Sequence, residues 1–528
     1  MLKLHKRTQS SVLMLSWVAL VLLANILVFF LSNYDFEFCH EMVVSISSHS
    51  HYRNVVAALR VDGSISVYMM CEMWLGVLWA ITKMIVGLVV MMIASTLLML
   101  KLKERRRRPV TTDGRVHETF KPVLDTFRNN FRRGWERDGA ALCVYYQGEC
   151  VVDIWGGFAD RESERRWRED TLQIIFSTSK AVGAICVAML VDRGRLRYSD
   201  KISSFWPEFA KHGKENITVE MILVHTSGLA CLDGKISYED ACDHERMAKF
   251  IEDSKPIWEP GKAVGYHALS YGWLVDQIIR RTDERKRGIG QFFKEEIAER
   301  HGLDLHFGLP MEKAWRVARI TRPTVIDRID EFVTDPSNLD YGFIFKQYLR
   351  GGLGMKVATT PPWLQTIFKV TLNNPEMYAL EQPAVLGIGT ARDMAKLAQL
   401  LMDGKLVSRA TLDLLNEKLI TTRDIVTGAH AERGRGTTVM HLNRNGVKHR
   451  LIGHTGLGGQ NLRWDEENKL VIAFLSNGLK GGLGDRARTY VRLVESIYDC
   501  LPRNNESSAW STVDRSRMIS ARDSIKTS

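Results

Sequence analysis

The sequence predicts an α+β domain: one antiparallel sheet flanked by N- and C-terminal helices, with a mostly helical region between, preceded by two transmembrane helices. Three observations predict it. Strand-length apolar runs sit in pairs around turns at both ends of the soluble part, 140–146 with 150–155 and 461–464 with 470–476. The stretches between them carry mainly helical spacing. Two long apolar segments, 11–32 and 74–100, lie in the first hundred residues. Strands at both ends of a domain are most simply closed into one sheet, with the middle of the chain packed over it.

The N-terminal region divides as a cytosolic stretch 1–10, a span 11–32, an extracytosolic loop 33–73, a span 74–100 and a basic linker 101–115. Segment 11–32 is broken only by Ser16 and Asn25, and 74–100 is interrupted by Lys83. Both are long enough for the ~20 residues that a hydrocarbon core requires. Lys3, Lys6 and Arg7 precede the first segment, and Lys101, Lys103 and Arg105 to Arg108 follow the second. The positive-inside rule then puts both ends in the cytosol, with the soluble domain on that side. On that topology the sequons at Asn216 and Asn505 carry no sugar. Cys39 and Cys71, near the two ends of the loop, could close it as a disulfide.

The chain has 528 residues, a net charge of +11 and 8 cysteines. Much of that charge is the cluster at 101–108, which reads as a membrane flank and not as a nucleic-acid surface. No zinc-type Cys/His spacing, Walker loop or dinucleotide fingerprint is present, and the cysteines are too sparse for a disulfide framework.

The soluble domain is expected over 116–500. Residues 117–137 have amphipathic spacing: Phe120, Val123, Leu124, Phe127, Phe131. Gln147-Gly148 marks a hairpin. An apolar lead at 171–176 runs into Ser177 and the uniformly apolar helix after it. A further apolar helix covers 269–279, and 285–380 reads as mostly helical, with 303–309 as a loop. Thr390 with Asp393 opens a helix to Met402. Strands follow at 437–445 and 450–452, then a glycine-rich turn at 453–459, the second hairpin, and a closing helix at 487–498. The tail 501–528 is polar and reads as disordered.

Chemistry concentrates at Ser177-Thr178-Ser179-Lys180. Ser-x-x-Lys puts hydroxyl and amine one helical turn apart on one face, and the motif occurs once in the chain. A serine at a helix N-terminus has free N–H groups beside it, and a burying helix desolvates the lysine and frees its amine. The alternative is an N-cap serine and a solvated first-turn lysine. His225 reads as a buried histidine bracing the serine helix by a hydrogen bond.

An ordered set of motifs decides between these readings: Phe176-Ser177-Thr178-Ser179-Lys180, His225-Thr226-Ser227-Gly228-Leu229, Pro260-Gly261 before Tyr266-His267-Ala268, and Gly453-His454-Thr455-Gly456 with Gly458-Gly459. Together they resemble the serine β-lactamase and penicillin-binding-protein superfamily, nearest to the class C β-lactamase-like esterases and the animal β-lactamase-domain proteins with a membrane anchor. The resemblance spans roughly 116–500 and implies a β-lactamase/transpeptidase-like fold. It implies Ser177 as the nucleophile of an acyl-enzyme, Lys180 as holder of its proton network, and Tyr266 as general base and acid, with the lysine favouring the tyrosine's phenolate. It also implies an oxyanion hole from the backbone N–H groups of Ser177 and Leu457, and His454, Thr455 and Gly456 as substrate-binding residues. Ala268 replaces an asparagine of the family pattern, and His454, cationic only in part near neutral pH, replaces a lysine. Both changes weigh against β-lactam hydrolysis and leave acyl transfer intact.

The expected function is a membrane-anchored serine hydrolase acting on a small-molecule or lipid-like ester or amide, esterase before β-lactamase. The alternatives are a catalytically silent scaffold or filament-forming protein, and a serine peptidase on the same site. No metal, cofactor or nucleic acid is implied, and homo-oligomerisation stays open.

Overall fold

The computed structural model describes residues 63–105, 110–334, 352–364, 366, 369–444, 446–481, 484–502 and 515–525. The chain divides into two units, 1–97 and 98–528.

In the first unit, the described part belongs to one helix, α1 (Gly63–Arg105). Its window Val77–Leu98, 22 residues, is long and apolar enough to cross a membrane, about 33 Å at 1.5 Å per residue. Among the described residues it is one such helix where the sequence predicts two; segment 11–32 and Cys39 lie outside them. Residues 63–73, read as loop, are helical and continue α1.

The second unit is built on an antiparallel sheet in the order β14-β1-β3-β2-β13-β12-β11-β10-β9-β8, with β15 also on β1 and β4 on β3. The strands are β1 (Val110–His117), β2 (Gly139–Tyr146), β3 (Glu149–Asp160), β4 (Arg165–Arg166), β8 (Ile420–Arg423), β9 (His430–Arg433), β10 (Thr438–Arg444), β11 (Val447–Thr455), β12 (Asn461–Asp465), β13 (Leu470–Ser476), β14 (Met518–Ser520) and β15 (Asp523–Ile525). A separate small sheet joins β5 (Gln173–Ile174), β7 (Gly387–Gly389) and β6 (Leu305–Phe307). The predicted join of the two ends is β2 against β13, in register from Ala140↔Ser476 to Tyr146↔Leu470.

These central strands are apolar on both faces because both faces are covered. Leu142, Val144, Leu470, Ile472 and Phe474 pack under the terminal helices α2 (Lys121–Arg132) and α6 (Arg488–Asp499), with Phe127, Phe131, Tyr490 and Leu493. The alternating Cys143, Val471, Ala473 and Leu475 face the helical middle. There lie α3 (Ser179–Asp192), α4 (Ser270–Thr282) and α5 (Ala391–Met402). Helix α3 is the innermost: every residue from Ser179 to Leu190 is buried, which explains a helix with no polar face.

Several boundaries differ from the sequence reading. The helix expected over 117–137 is a strand up to His117, a 3-10 turn and then α2. Pro122 is suited to a first helical turn and not to an interior, and Gly134 (φ 67°) ends the helix in the left-handed region. The domain therefore begins at β1, inside the supposed linker. Residues 515–525, assigned to a disordered tail, form β14 and β15 along β1; pairing with a distant strand is invisible to local polarity. Residues 303–309 contain β6, and the 420–433 hairpin escaped notice because its alternation is polar. Strand β11 runs on through Gly453-His454-Thr455, so the turn is confined to 456–459.

Candidate active site

Ser177 lies in a 3-10 turn, Phe176–Thr178, that delivers the chain into α3. Phe176 has φ 49°, in the left-handed region that a bulky residue rarely adopts. The side chain of Phe176 is buried, so packing holds the bend that presents Ser177 at the end of the helix.

Lys180, the second residue of α3 and one turn past Ser177, is fully buried. Its Nζ lies 3.4 Å from Ser177 Oγ and donates to the carbonyl oxygens of Ala268 and Ala384, both at 2.9 Å. Burial, with the positive charge of Arg433, holds the Lys180 amine well below the usual lysine range. A neutral amine has two N–H donors and one lone pair. In that form the two carbonyls take the donors, which leaves the lone pair to accept from the Ser177 hydroxyl.

Tyr266 donates its hydroxyl to Ser177 Oγ at 2.7 Å. The Lys180 nitrogen lies 4.7 Å from its ring centroid, and His225 packs edge-on at 5.0 Å. Burial pushes the Tyr266 phenol up to about 12, against the lowering effects of the Ser177 hydrogen bond and Arg433. The phenolate expected from the neighbouring lysine is therefore not the resting form: burial disfavours both charges, and the pair rests as phenol and amine.

His454 comes in at the end of β11, its ring 6.4 Å from that of Tyr266. Nδ1 donates to Thr455 O at 2.6 Å. Burial, with the positive charges of Arg463 and Arg433, holds the imidazole well below its ordinary value. It is a neutral group near pH 7, and the partial cation expected in place of the family's lysine is absent. Thr455 and Gly456 follow, and Leu457 opens the next 3-10 turn.

His225 is buried as expected, but it braces a different element: its Nδ1 accepts from the backbone N–H of His267 at 3.2 Å, fixing the Tyr266 loop and not the serine helix. His267 in turn donates from Nδ1 to Gly265 O and accepts at Nε2 from Ser227.

Ser177, Tyr266, His454, Thr455, Gly456 and Leu457 all line one cavity of about 390 Å³. One wall is apolar, with Leu269, Val357, Leu364, Leu372 and Val385; the other is the polar edge of β9 and β10 with Arg433 and Thr438. Lys180 stands behind Ser177. Sequence reasoning missed Asp424 and Arg433, a buried ion pair (2.7 Å) beside Tyr266. Their only sequence signal was two charged residues in a stretch left without an element.

A serine whose hydroxyl contacts a desolvated amine and a phenol, at a helix N-terminus facing a cavity, is the arrangement of a serine acyl-transfer site. The comparisons agree with it. The profile of the family described as Beta-lactamase matches residues 127–496. Among curated proteins, the esterase/beta-lactamase LipL of Mycobacterium tuberculosis is 29% identical over 384 residues, covering 69% of this chain and 83% of LipL. Among solved structures, a penicillin-binding protein homolog from Caulobacter crescentus is 31% identical with a TM-score of 0.61, covering 74% of this chain and all (100%) of the homolog. A family VIII carboxylesterase is 28% identical with a TM-score of 0.63, again over 74% of this chain and 100% of its own. The chain belongs to the beta-lactamase family of serine hydrolases, which includes esterases.

Proposed function

We propose that this protein is a membrane-anchored esterase that forms an acyl-enzyme on Ser177. The observation that carries the reading is the Ser177 hydroxyl held between the Lys180 amine and the Tyr266 phenol. Ser177 Oγ attacks the ester carbonyl and passes its proton to Lys180 Nζ. The N–H groups of Ser177 and Leu457 hold the oxyanion. As the C–O bond breaks, Tyr266 gives its proton to the departing alkoxide. Water then loses a proton to the Tyr266 phenolate and attacks the acyl carbon, and Ser177 regains its proton from Lys180. The transient phenolate and ammonium lie beside each other and stabilise one another.

Ala268 and the neutral His454 offer no amide or cation to hold a β-lactam, which places ester hydrolysis first. The apolar wall suits an apolar acyl or alkyl group, so lipid-like esters are the substrate class. The apolar window of α1 and the basic cluster at 101–108 support a membrane anchor with the catalytic domain in the cytosol. The test is fluorophosphonate labelling of the full chain in membranes, beside Ser177→Ala, followed by a panel of esters, amides and β-lactams. Labelling lost in Ser177→Ala, with ester turnover well above β-lactam turnover, is expected. A native wild type that neither labels nor turns over ester refutes the reading. A glycan on Asn216 refutes the cytosolic placement.

A further inference from the structure

Behind Tyr266, the hairpin of β8 and β9 reaches over the active site with a buried ion pair that the reaction scheme does not use. Asp424 is wholly buried. Its Oδ1 accepts from the backbone N–H groups of Tyr266 (3.2 Å), Val426 (2.9 Å) and Thr427 (2.9 Å), and its Oδ2 accepts from Arg433 Nη2 at 2.7 Å. The next peptide repeats the tie, Ile425 N–H donating to Val264 O at 2.9 Å. The loop that carries Tyr266 is thus fastened to a hairpin about 160 residues further on. Arg433 is 5% exposed and lines the cavity, with its guanidinium 5.2 Å from the Tyr266 ring centroid.

We propose that Asp424 and Arg433 form a positioning pair for the Ser177–Lys180–Tyr266 cluster: Asp424 fixes the Tyr266 backbone and the guanidinium, and the Arg433 charge keeps the Lys180 amine free to take the serine proton. The proposal rests on the hydrolase reading above. Around Lys180 and Tyr266 the other titratable groups are Tyr271, His225, His267 and His454, all uncharged at neutral pH, and Arg463, which is paired with Asp485. Arg433 and Asp424 are therefore the charges beside the cluster that a substitution can remove. Its effect on Lys180 and Tyr266 is to lower both, and Asp424 opposes it at Tyr266.

The two partners carry opposite charges, so their removal must act in opposite directions. Arg433→Met eases protonation of Lys180, and the acid limb of the kcat/KM profile moves to higher pH. Asp424→Asn keeps an oxygen for the Tyr266 N–H, leaves Arg433 unopposed, and moves that limb to lower pH. Shifts of about 0.5–1 pH unit are expected for charges at this range. Arg433→Lys restores the charge and returns the limb toward wild type, although a lysine presents an ammonium and not a planar guanidinium to Asp424 Oδ2. The experiment is a pH–rate profile of the detergent-solubilised full chain with p-nitrophenyl butyrate, with thermal unfolding recorded for each variant. Opposite shifts with rescue by lysine support the proposal. Shifts in the same direction, or unmoved limbs in natively folded variants, overturn it. A wild type inert toward the ester fails the underlying reading instead, before any variant is compared.

Discussion

Replacing Tyr266 by phenylalanine removes one oxygen and leaves the packed ring. The lost hydroxyl is the one that donates to Ser177 Oγ at 2.7 Å, and the ring retains its contacts with His225 and His454. If Tyr266 transfers the proton to the leaving alkoxide, the loss is that of a general acid and base, about 10²–10⁴ in kcat/KM, or roughly 3–5 kcal/mol of barrier. The effect on stability is much smaller. One hydrogen bond contributes about 0.5–1.5 kcal/mol net, and the variant no longer has to desolvate a buried hydroxyl. In a domain of this size that is about 1–2 °C of melting temperature. The assay pairs ester hydrolysis with differential scanning fluorimetry. Activity within threefold of wild type at an unchanged melting temperature refutes the role given to Tyr266, and a large loss of both shows that the hydroxyl is a structural prop.

Three other outcomes are expected. With the Lys180 amine held well below the usual lysine range, kcat/KM levels off well before the ordinary lysine value of about 10.4; a rate that climbs tenfold per unit up to pH 10 contradicts the assignment of the proton acceptor. His267 is held near 4 by burial, so the unfolded chain binds a proton there that the folded chain refuses. Stability at this site is full above about pH 6.5 and falls as pH drops toward 4, by about 3 kcal/mol; urea melts at pH 7, 5 and 4 check this, with His267→Gln giving a shallower slope. Gly272 in α4 lies against the Gln382 carboxamide, which accepts from the Ala384 N–H at 3.0 Å, and Ala384 O accepts from Lys180. Gly272→Ala overpacks that contact and is expected to cost about 1–3 kcal/mol while lowering activity through Lys180; a native melting temperature and full activity together contradict it.

Much of this protein is written locally. The unbroken apolar run of α3 announces a helix buried on all sides, and Ser177 and Lys180 are one turn apart, so their proximity follows from helix geometry alone. The all-apolar runs of β2 and β13 announce central strands, since only a strand covered on both faces carries no polar residue. The motif segments at Tyr266 and at 453–459 needed no structure to be found, although the structure confines the second turn to 456–459. What tertiary structure decided is which distant groups meet and in what charge state. Lys180 and Tyr266 keep their protons where burial dictates, and burial is a property of the whole fold; the sequence shows an amine next to a phenol and suggests a phenolate. Asp424 and Arg433 sit in a polar hairpin without a motif, and their bond to the Tyr266 loop exists only because β8 and β9 extend the sheet over the cavity. His225 braces one loop and not its neighbouring helix for the same reason: a hydrogen bond between segments far apart in sequence is set by three-dimensional approach, of which spacing along the chain holds no record.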